Sequence, residues 1–393
     1  MLRTRITDLF GIEAPIFAFT HCRETVAAVS RAGGMGIYGA STFAPERVDA
    51  DLAWITANVE GKPFGVDLMM PQKSEGKGTT TDARELEAAL QMAIPQAHRE
   101  FTRTLLEQFQ VPGLDTAPPV EDDGRPGGRG WRHSWYEFKL GAVETGARLQ
   151  LEAALRHPIA FLVTALGTPP PDVRELARSR GMKLGALVGS AKHARQHIDA
   201  GVDVIIAQGT EAAAHTGEIS TLVLVPEIAK AVAPVPVLAA GGIGTGEQLA
   251  AALALGAEGA WTGSIWLACA ESDEPPEVVE RMLAARSSDT LRSRCRTGKP
   301  LRQLKSPWSA AWEEPSSPGM LAMPTQHILT AEAEERIQRH RRADLTTIPV
   351  GQIVGAMNSV RPAAEIVREL VADCEATIAG MGRFMPLSTK EQG

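Results

Sequence analysis

Eight short apolar runs, each followed by helix-like sequence, predict an α/β chain folded as a TIM (β/α)8 barrel. Two further observations support that class. The runs are almost continuously apolar, the pattern of parallel strands covered on both faces. The main rival, an open dinucleotide-binding sheet, carries Gly-x-Gly-x-x-Gly after its first strand, and no such motif follows the first strand here.

The first strand reads as Ala14–Phe19, followed by a helix Arg23–Ala32 that Gly33 and Gly34 stop. Met35–Tyr38 is the second strand, Pro45–Val59 the second helix and Pro63–Met69 the third strand. The rhythm resumes with strand Ile159–Val163 and helix Asp172–Ser179, then strand Lys183–Val188 and helix Ala191–Ala200. Strand six is Val202–Ala207, with helix Leu222–Val232. Strand seven, Val235–Ala239, leads into helix Gly246–Leu255, and strand eight is Gly259–Thr262.

Between strands three and four lies a long insertion, 72–157. It holds a Gly/Lys/Thr-rich linker, a helical stretch Asp82–Gln110 interrupted near Pro95, and an irregular run 111–134 rich in Pro, Gly and Asp. A stretch of that kind is expected as a lid, a binding loop or a disordered insertion. Trp131, His133, Trp135 and Tyr136 follow it, as a pocket cap or a local hydrophobic cluster, and Tyr136–Arg156 reads as a helix. The barrel is therefore expected from 1–71 and 158–393, with 265–393 as a helical C-terminal segment. That segment carries a basic run, Arg292–Lys305, the pair Trp308 and Trp312, and an amphipathic helix Pro362–Ile378 suited to the barrel exterior. The basic run reads either as a solvated helix face or as a surface that meets phosphates.

Composition narrows the function class. A net charge of -7 argues against nucleic acid or an anionic membrane as partner. Cys22, Cys269, Cys295 and Cys374 have no CxxC or ligand-like spacing, so neither a metal site nor a disulfide framework is expected. Residues 1–8 lack the apolar core of a signal peptide, and no run is long enough to span a membrane, so a cytoplasmic location is expected. The assembly is left open, a homodimer included.

The candidate site falls at the strands' C-terminal ends, where barrels of this class hold their chemistry. After strand six, residues 207–217 form a loop of small residues with one group that titrates near neutral pH, His215. It reads either as a floor for a flat ligand or as a plain turn. After strands seven and eight come Gly241-Gly242 and Gly263-Ser264. Backbone N–H groups freed by glycine there suit a phosphate, with a helix N-terminus behind.

Three of these stretches, 208–215, 236–243 and 256–264, resemble the nitronate monooxygenases, whose superfamily includes the FMN-dependent enoyl-ACP reductases. Pro63–Asp67, Thr297–Arg302 and Val350–Gly355 are similar as well. The resemblance implies non-covalent FMN in the barrel mouth. Its phosphate would lie on Gly241, Gly242, Gly263 and Ser264 with Thr262 alongside. Gln208 and the adjoining Gly209, with Ala213, would meet the flavin ring, and Ala18 and Phe19 would line it. His215 matches the active-site histidine, as base when neutral or as counter-charge when protonated. The implied activity is oxidation of a nitronate or similar carbanionic small molecule by O2. The alternatives are NAD(P)H-dependent reduction of an acyl thioester, and flavin binding without turnover.

Four departures stand out. Ala213-Ala214 replaces the usual Gly-Gly. Asp67 stands where relatives carry Asn, and cannot donate to a flavin carbonyl unless protonated. The first strand ends in Phe19-Thr20-His21 rather than Pro-Met, and His21 reads as a second imidazole of the site, a helix cap or a surface residue. Tyr38 and Tyr136 are the only tyrosines, too few for the tyrosine-rich pocket of one monooxygenase class.

Overall fold

A computed structural model describes residues 2–69, 83–119, 144–165 and 167–384. Eight parallel strands close into a barrel: β1 (Ile16–Thr20), β2 (Met35–Gly39), β3 (Phe64–Met69), β4 (Phe161–Ala165), β5 (Lys183–Val188), β6 (Val204–Gln208), β8 (Val237–Ala240) and β9 (Gly259–Thr262). β9 pairs back onto β1, Ala18 opposite Thr262. Four strands, β1, β4, β6 and β8, start two residues later than the apolar runs suggest. Two of those runs open on Ala14-Pro15 and Val235-Pro236. Proline has no N–H for the ladder, so pairing starts beyond it.

Side chains alternate along each strand, and the inward set fills the barrel. Phe17, Met35, Ile37, Phe161, Val163, Val204, Ile206 and Leu238 form this buried layer. The helix Arg5–Phe10 closes its floor. A capping box starts it, in which Thr4 Oγ1 accepts from the Thr7 N–H, and Gly11 ends it with a φ of 64°. Its Phe10 ring sits 5.5 Å from Phe17 and 4.9 Å from Phe161. Burying each such side chain contributes about 1.5–3 kcal/mol, and the plug leaves only the opposite mouth open.

The helix Glu144–Ala154, in the stretch assigned to the insertion, packs on Pro45–Asn58 and β3 within the barrel's own helical layer. The helices Ala83–Ala93 and Gln96–Gln108 lie instead on Thr325–Arg339 of the C-terminal segment. Together they enclose a second core containing Leu105, Leu106, Trp308, Trp312, Ile328 and Ile337. Loop carbonyls that no strand or helix satisfies are taken by arginines: Arg336 donates to Val111 and Pro112, and Arg342 to Phe109. The aromatic run Trp131–Tyr136 lies outside the described residues.

The final helix, Ala363–Gly380, packs on Gly246–Ala254 at the barrel exterior, as its amphipathic pattern suggests. The basic run does not form a helix. Thr290–Ser293 (β10) and Leu301–Leu304 (β11) make an antiparallel hairpin, and β11 pairs with the two-residue strand β7, Ala214–His215. The physical reason is alternation: Leu291, Ser293, Leu301 and Gln303 sit between the charged residues at a period of two, which a helix cannot turn to one face.

Candidate active site

The strand ends at the open mouth divide the candidate residues into two groups. The first is built from backbone. Gly241 and Gly242 follow β8 with φ of 104° and 72°, a conformation that any side chain would strain. Among the described residues, nothing accepts from the N–H groups of Gly242 and Ile243. The helix that follows is less open than its dipole suggests, because Gln248 Oε1 already accepts from Gly244 and Thr245, at 2.8 and 3.0 Å. Gly263 and Ser264 follow β9 on the adjacent strand. Ser264 Oγ accepts from the Gly351 N–H at 2.9 Å, which leaves its own hydrogen to donate. The Thr262 hydroxyl is unavailable. It donates to the Phe17 carbonyl at 3.0 Å and accepts from Trp266 Nε1 at 2.9 Å.

Gly209 shows why the next loop must be thin. A Cβ there would lie 2.1 Å from Thr221 Oγ1. That close approach lets the Glu211 carboxylate accept from both the N–H and the hydroxyl of Thr221, each at 2.9 Å. A helix N-terminus is thus satisfied by the chain's own anion. The Glu211 carbonyl accepts from Gln352 at 3.0 Å, tying the loop to the late stretch Val350–Gly355. A cavity of about 470 Å3 beside this glycine seat is lined by Glu211, Thr221, Gly241, Gly242, Ser287 and Gln352, and His215 is not part of its lining.

The second group is made of side chains. Gln208 ends β6, half-buried, and its amide forms no hydrogen bond among the described residues. Phe19 turns into the mouth and stacks on Trp261, with ring centroids 6.0 Å apart. Ala18 points the other way, into the layer between strands and helices, so only its backbone faces the mouth. His21 caps no helix. Its Nδ1 lies 2.7 Å from the Gly39 carbonyl and its ring packs edge-on against Phe19, which holds it at the rim. Asp67 is buried, and its Oδ1 has no hydrogen-bond partner. Burial without compensation pushes its carboxyl up to about 7.

His215 lies on β7, and the hairpin sets its position. Leu301 pairs with it across β11, while Arg302 donates to the Thr210 carbonyl at 2.8 Å and Arg292 to Thr216 at 3.1 Å. These two arginines of the basic run therefore clamp the histidine loop. Nε2 of His215 is 2.8 Å from Thr297 Oγ1, and Nδ1 makes no hydrogen bond among the described residues. Burial, then the charges of Arg296 and Lys299, push the imidazole down to about 4. Ala214 adopts a φ of 58°, so the alanine pair carries backbone strain next to the histidine. Behind it, Arg296 pairs with Glu334 at 3.1 Å, and burial pushes His327 down to about 3.

Sequence reasoning misses Glu211, Arg292, Thr297, Arg302 and Gly351 as working parts. Four of them, all but Arg292, stand in stretches similar to the family, yet nothing local says what they touch.

The mouth thus offers unspent backbone donors at one side and unpaired polar side chains at the other, which fits a flat cofactor with a phosphate tail. Among the described residues there is no cluster suited to a metal ion, and no helix is long and apolar enough to cross a membrane. The chain is 44% identical over 387 residues to a Mycobacterium tuberculosis protein named as monooxygenase Rv1533, covering 96% of this chain and 98% of that one. It is 26% identical over 319 residues to a Staphylococcus saprophyticus chain named as a nitronate monooxygenase, covering 77% and 79%. The fold matches a nitroalkane oxidase from Streptomyces ansochromogenes with a TM-score of 0.72 and 26% identity over 96% of this chain and 99% of that one. FabK from Thermotoga maritima matches in fold with a TM-score of 0.71 and 24% identity, covering 98% and 100%. Residues 3–373 match the family description Nitronate monooxygenase, and the chain belongs to that family of flavin-dependent oxidoreductases.

Proposed function

We propose that this protein binds FMN across the barrel mouth and oxidises an alkyl nitronate or similar carbanionic small molecule, with O2 as the final oxidant. The observation that carries the reading is the pairing of a glycine seat suited to a phosphate with a neutral, half-buried imidazole. Gly241, Gly242, Gly263 and Ser264 would hold the phosphate, and Gln208, Ala213 and Phe19 the ring. The flavin supplies the redox chemistry when bound, and the protein supplies orientation and electrostatics.

His215 is the proposed base. Held near 4, it is neutral at pH 7 and can accept through Nδ1 the α proton of a neutral nitroalkane, leaving the nitronate that is oxidised, while Thr297 fixes the ring through Nε2. The same shift argues against the imidazole as resident counter-charge. Arg296 and Lys299, the charges that depress it, supply the positive potential that an anionic nitronate meets. A buried proton on His215 then becomes favourable once that anion is beside it.

The test is anaerobic. Purified protein should be yellow and release FMN on denaturation, and a nitronate should bleach the flavin while NADH and NADPH do not. Bleaching by a nicotinamide alone would move the reading to the reductase alternative. No bleaching by either donor would point to flavin binding without turnover. Colourless protein that cannot be reconstituted would end the flavin reading.

A further inference from the structure

Asp67 is the one departure from the family that the site leaves unexplained, and its surroundings say what it is for. It lies on the inward face of β3, two residues before its end, in register with Gly39 on β2 and Val163 on β4. Neither neighbour offers a polar side chain, and the His21 ring lies over Gly39, 2.7 Å from where a Cβ would stand. The residue is buried, with 8% of its surface exposed, and Oδ1 has no hydrogen-bond partner. A buried carboxylate in that state costs several kcal/mol and would select its neutral form. Burial alone pushes the group up to about 7. A protonated carboxyl is the only form of this side chain that donates a hydrogen bond.

We propose that Asp67 meets the bound flavin as a neutral carboxylic acid, its O–H donated to a ring acceptor, so that holding the cofactor is linked to one proton. This rests on the flavin reading above, which it deepens. An amide at this position would make the same donation at every pH, whereas the acid makes it only while protonated. The proton stays on the carboxyl throughout, and no bond other than the hydrogen bond forms. The other ionisable groups at this mouth are His21 on the β1 rim and His215 on β7. His215, depressed to about 4, is already neutral across the range of interest. The FMN phosphate has a second ionisation near 6, which acts on any variant equally.

The experiment measures FMN affinity of the apoprotein from pH 5.5 to 9 by quenching of free-flavin fluorescence. Wild type and Asp67→Asn are run in parallel. For wild type, Kd should rise toward tenfold per pH unit above the ionisation of Asp67, the limit for one linked proton. Asp67→Asn should hold FMN with a profile flatter by that one proton. Asp67→Ser, a smaller donor, serves if the amide variant folds poorly, and should flatten in the same way. Superimposable profiles for wild type and either folded variant would overturn the proposal, since His21 or the phosphate would then account for the slope. Failure of wild type to bind FMN at any pH would instead remove the flavin reading itself, and the proposal with it.

Discussion

The two sides of the barrel mouth are built on opposite plans. At β8 and β9 the groups on offer are backbone N–H donors, fixed by two left-handed glycines and by a serine already anchored to Gly351. At β3, β6 and β7 the groups are side chains, one of them, Asp67, buried with an unpartnered oxygen, and two with ionisation moved by burial. Backbone donors are pre-organised and indifferent to pH, which suits a constant ligand such as a phosphate. Side chains in a poorly solvated pocket hold unspent interaction energy, which suits a group that changes charge during turnover. On the proposed reading, the glycine side holds a phosphate and the side-chain side responds to what lies beside it.

That contrast can be broken in four ways, taken from the largest expected effect. His215→Ala removes the proposed base and should lower turnover about 10²- to 10⁴-fold, while FMN affinity, measured by fluorescence, changes only a few-fold. Comparable losses of both would mean that His215 serves the flavin rather than the substrate.

Acid should act on the responding side. His215 and His327 are depressed from 6.5 to about 4 and about 3, so between pH 6.5 and 4 the unfolded chain binds protons that the folded chain refuses. These two groups therefore lower stability as pH falls through that window, while Asp67 and Glu334, raised by burial, hold protons that the unfolded chain releases and offset part of the decline. Thermal unfolding of the apoprotein from pH 7 to 4.5 checks it, and His327→Gln should make the decline shallower.

On the holding side, Gly242→Val forces a β-branched residue to a φ of 72°. Strain of roughly 1–3 kcal/mol should weaken FMN binding by about ten- to a hundredfold with no change in its pH dependence. A pH-dependent loss would show that the two sides are not separable.

The smallest effect is expected at Ala214, whose φ of 58° suits glycine. Ala214→Gly should raise stability by about 1 kcal/mol or less, because the relief of left-handed strain is partly offset by the freer unfolded chain. Chemical denaturation of wild type and variant is the measurement, and a destabilised variant would show that the alanine methyl packs usefully.

Legibility in the sequence follows the same division. Gly241-Gly242 and Gly263-Ser264 stand out because a glycine need is local: one residue's φ, or the space beside it, decides it. His215 stands out as a lone imidazole in a thin loop. Its ionisation does not, because that depends on Arg296, Lys299 and burial supplied by a hairpin far along the chain. The partner that orients it, Thr297, is 82 residues away in sequence. The basic run misleads for a related reason. Its charges dominate the pattern, while the alternation of Leu301 and Gln303 beneath them carries the strand signal. Thr262 shows the reverse error, a hydroxyl well placed in sequence but consumed by Phe17 and Trp266.

By itself, then, the sequence determined the eight-unit barrel, its open mouth and the glycine seat, since short-range periodicity and backbone freedom encode them. Tertiary structure alone decided that Arg292 and Arg302 clamp the histidine loop, that helices of the insertion share a core with Thr325–Arg339, and that burial moves the ionisation of Asp67 up and that of His215 down. Those outcomes depend on pairing and desolvation between distant segments, which no local pattern of residues can carry.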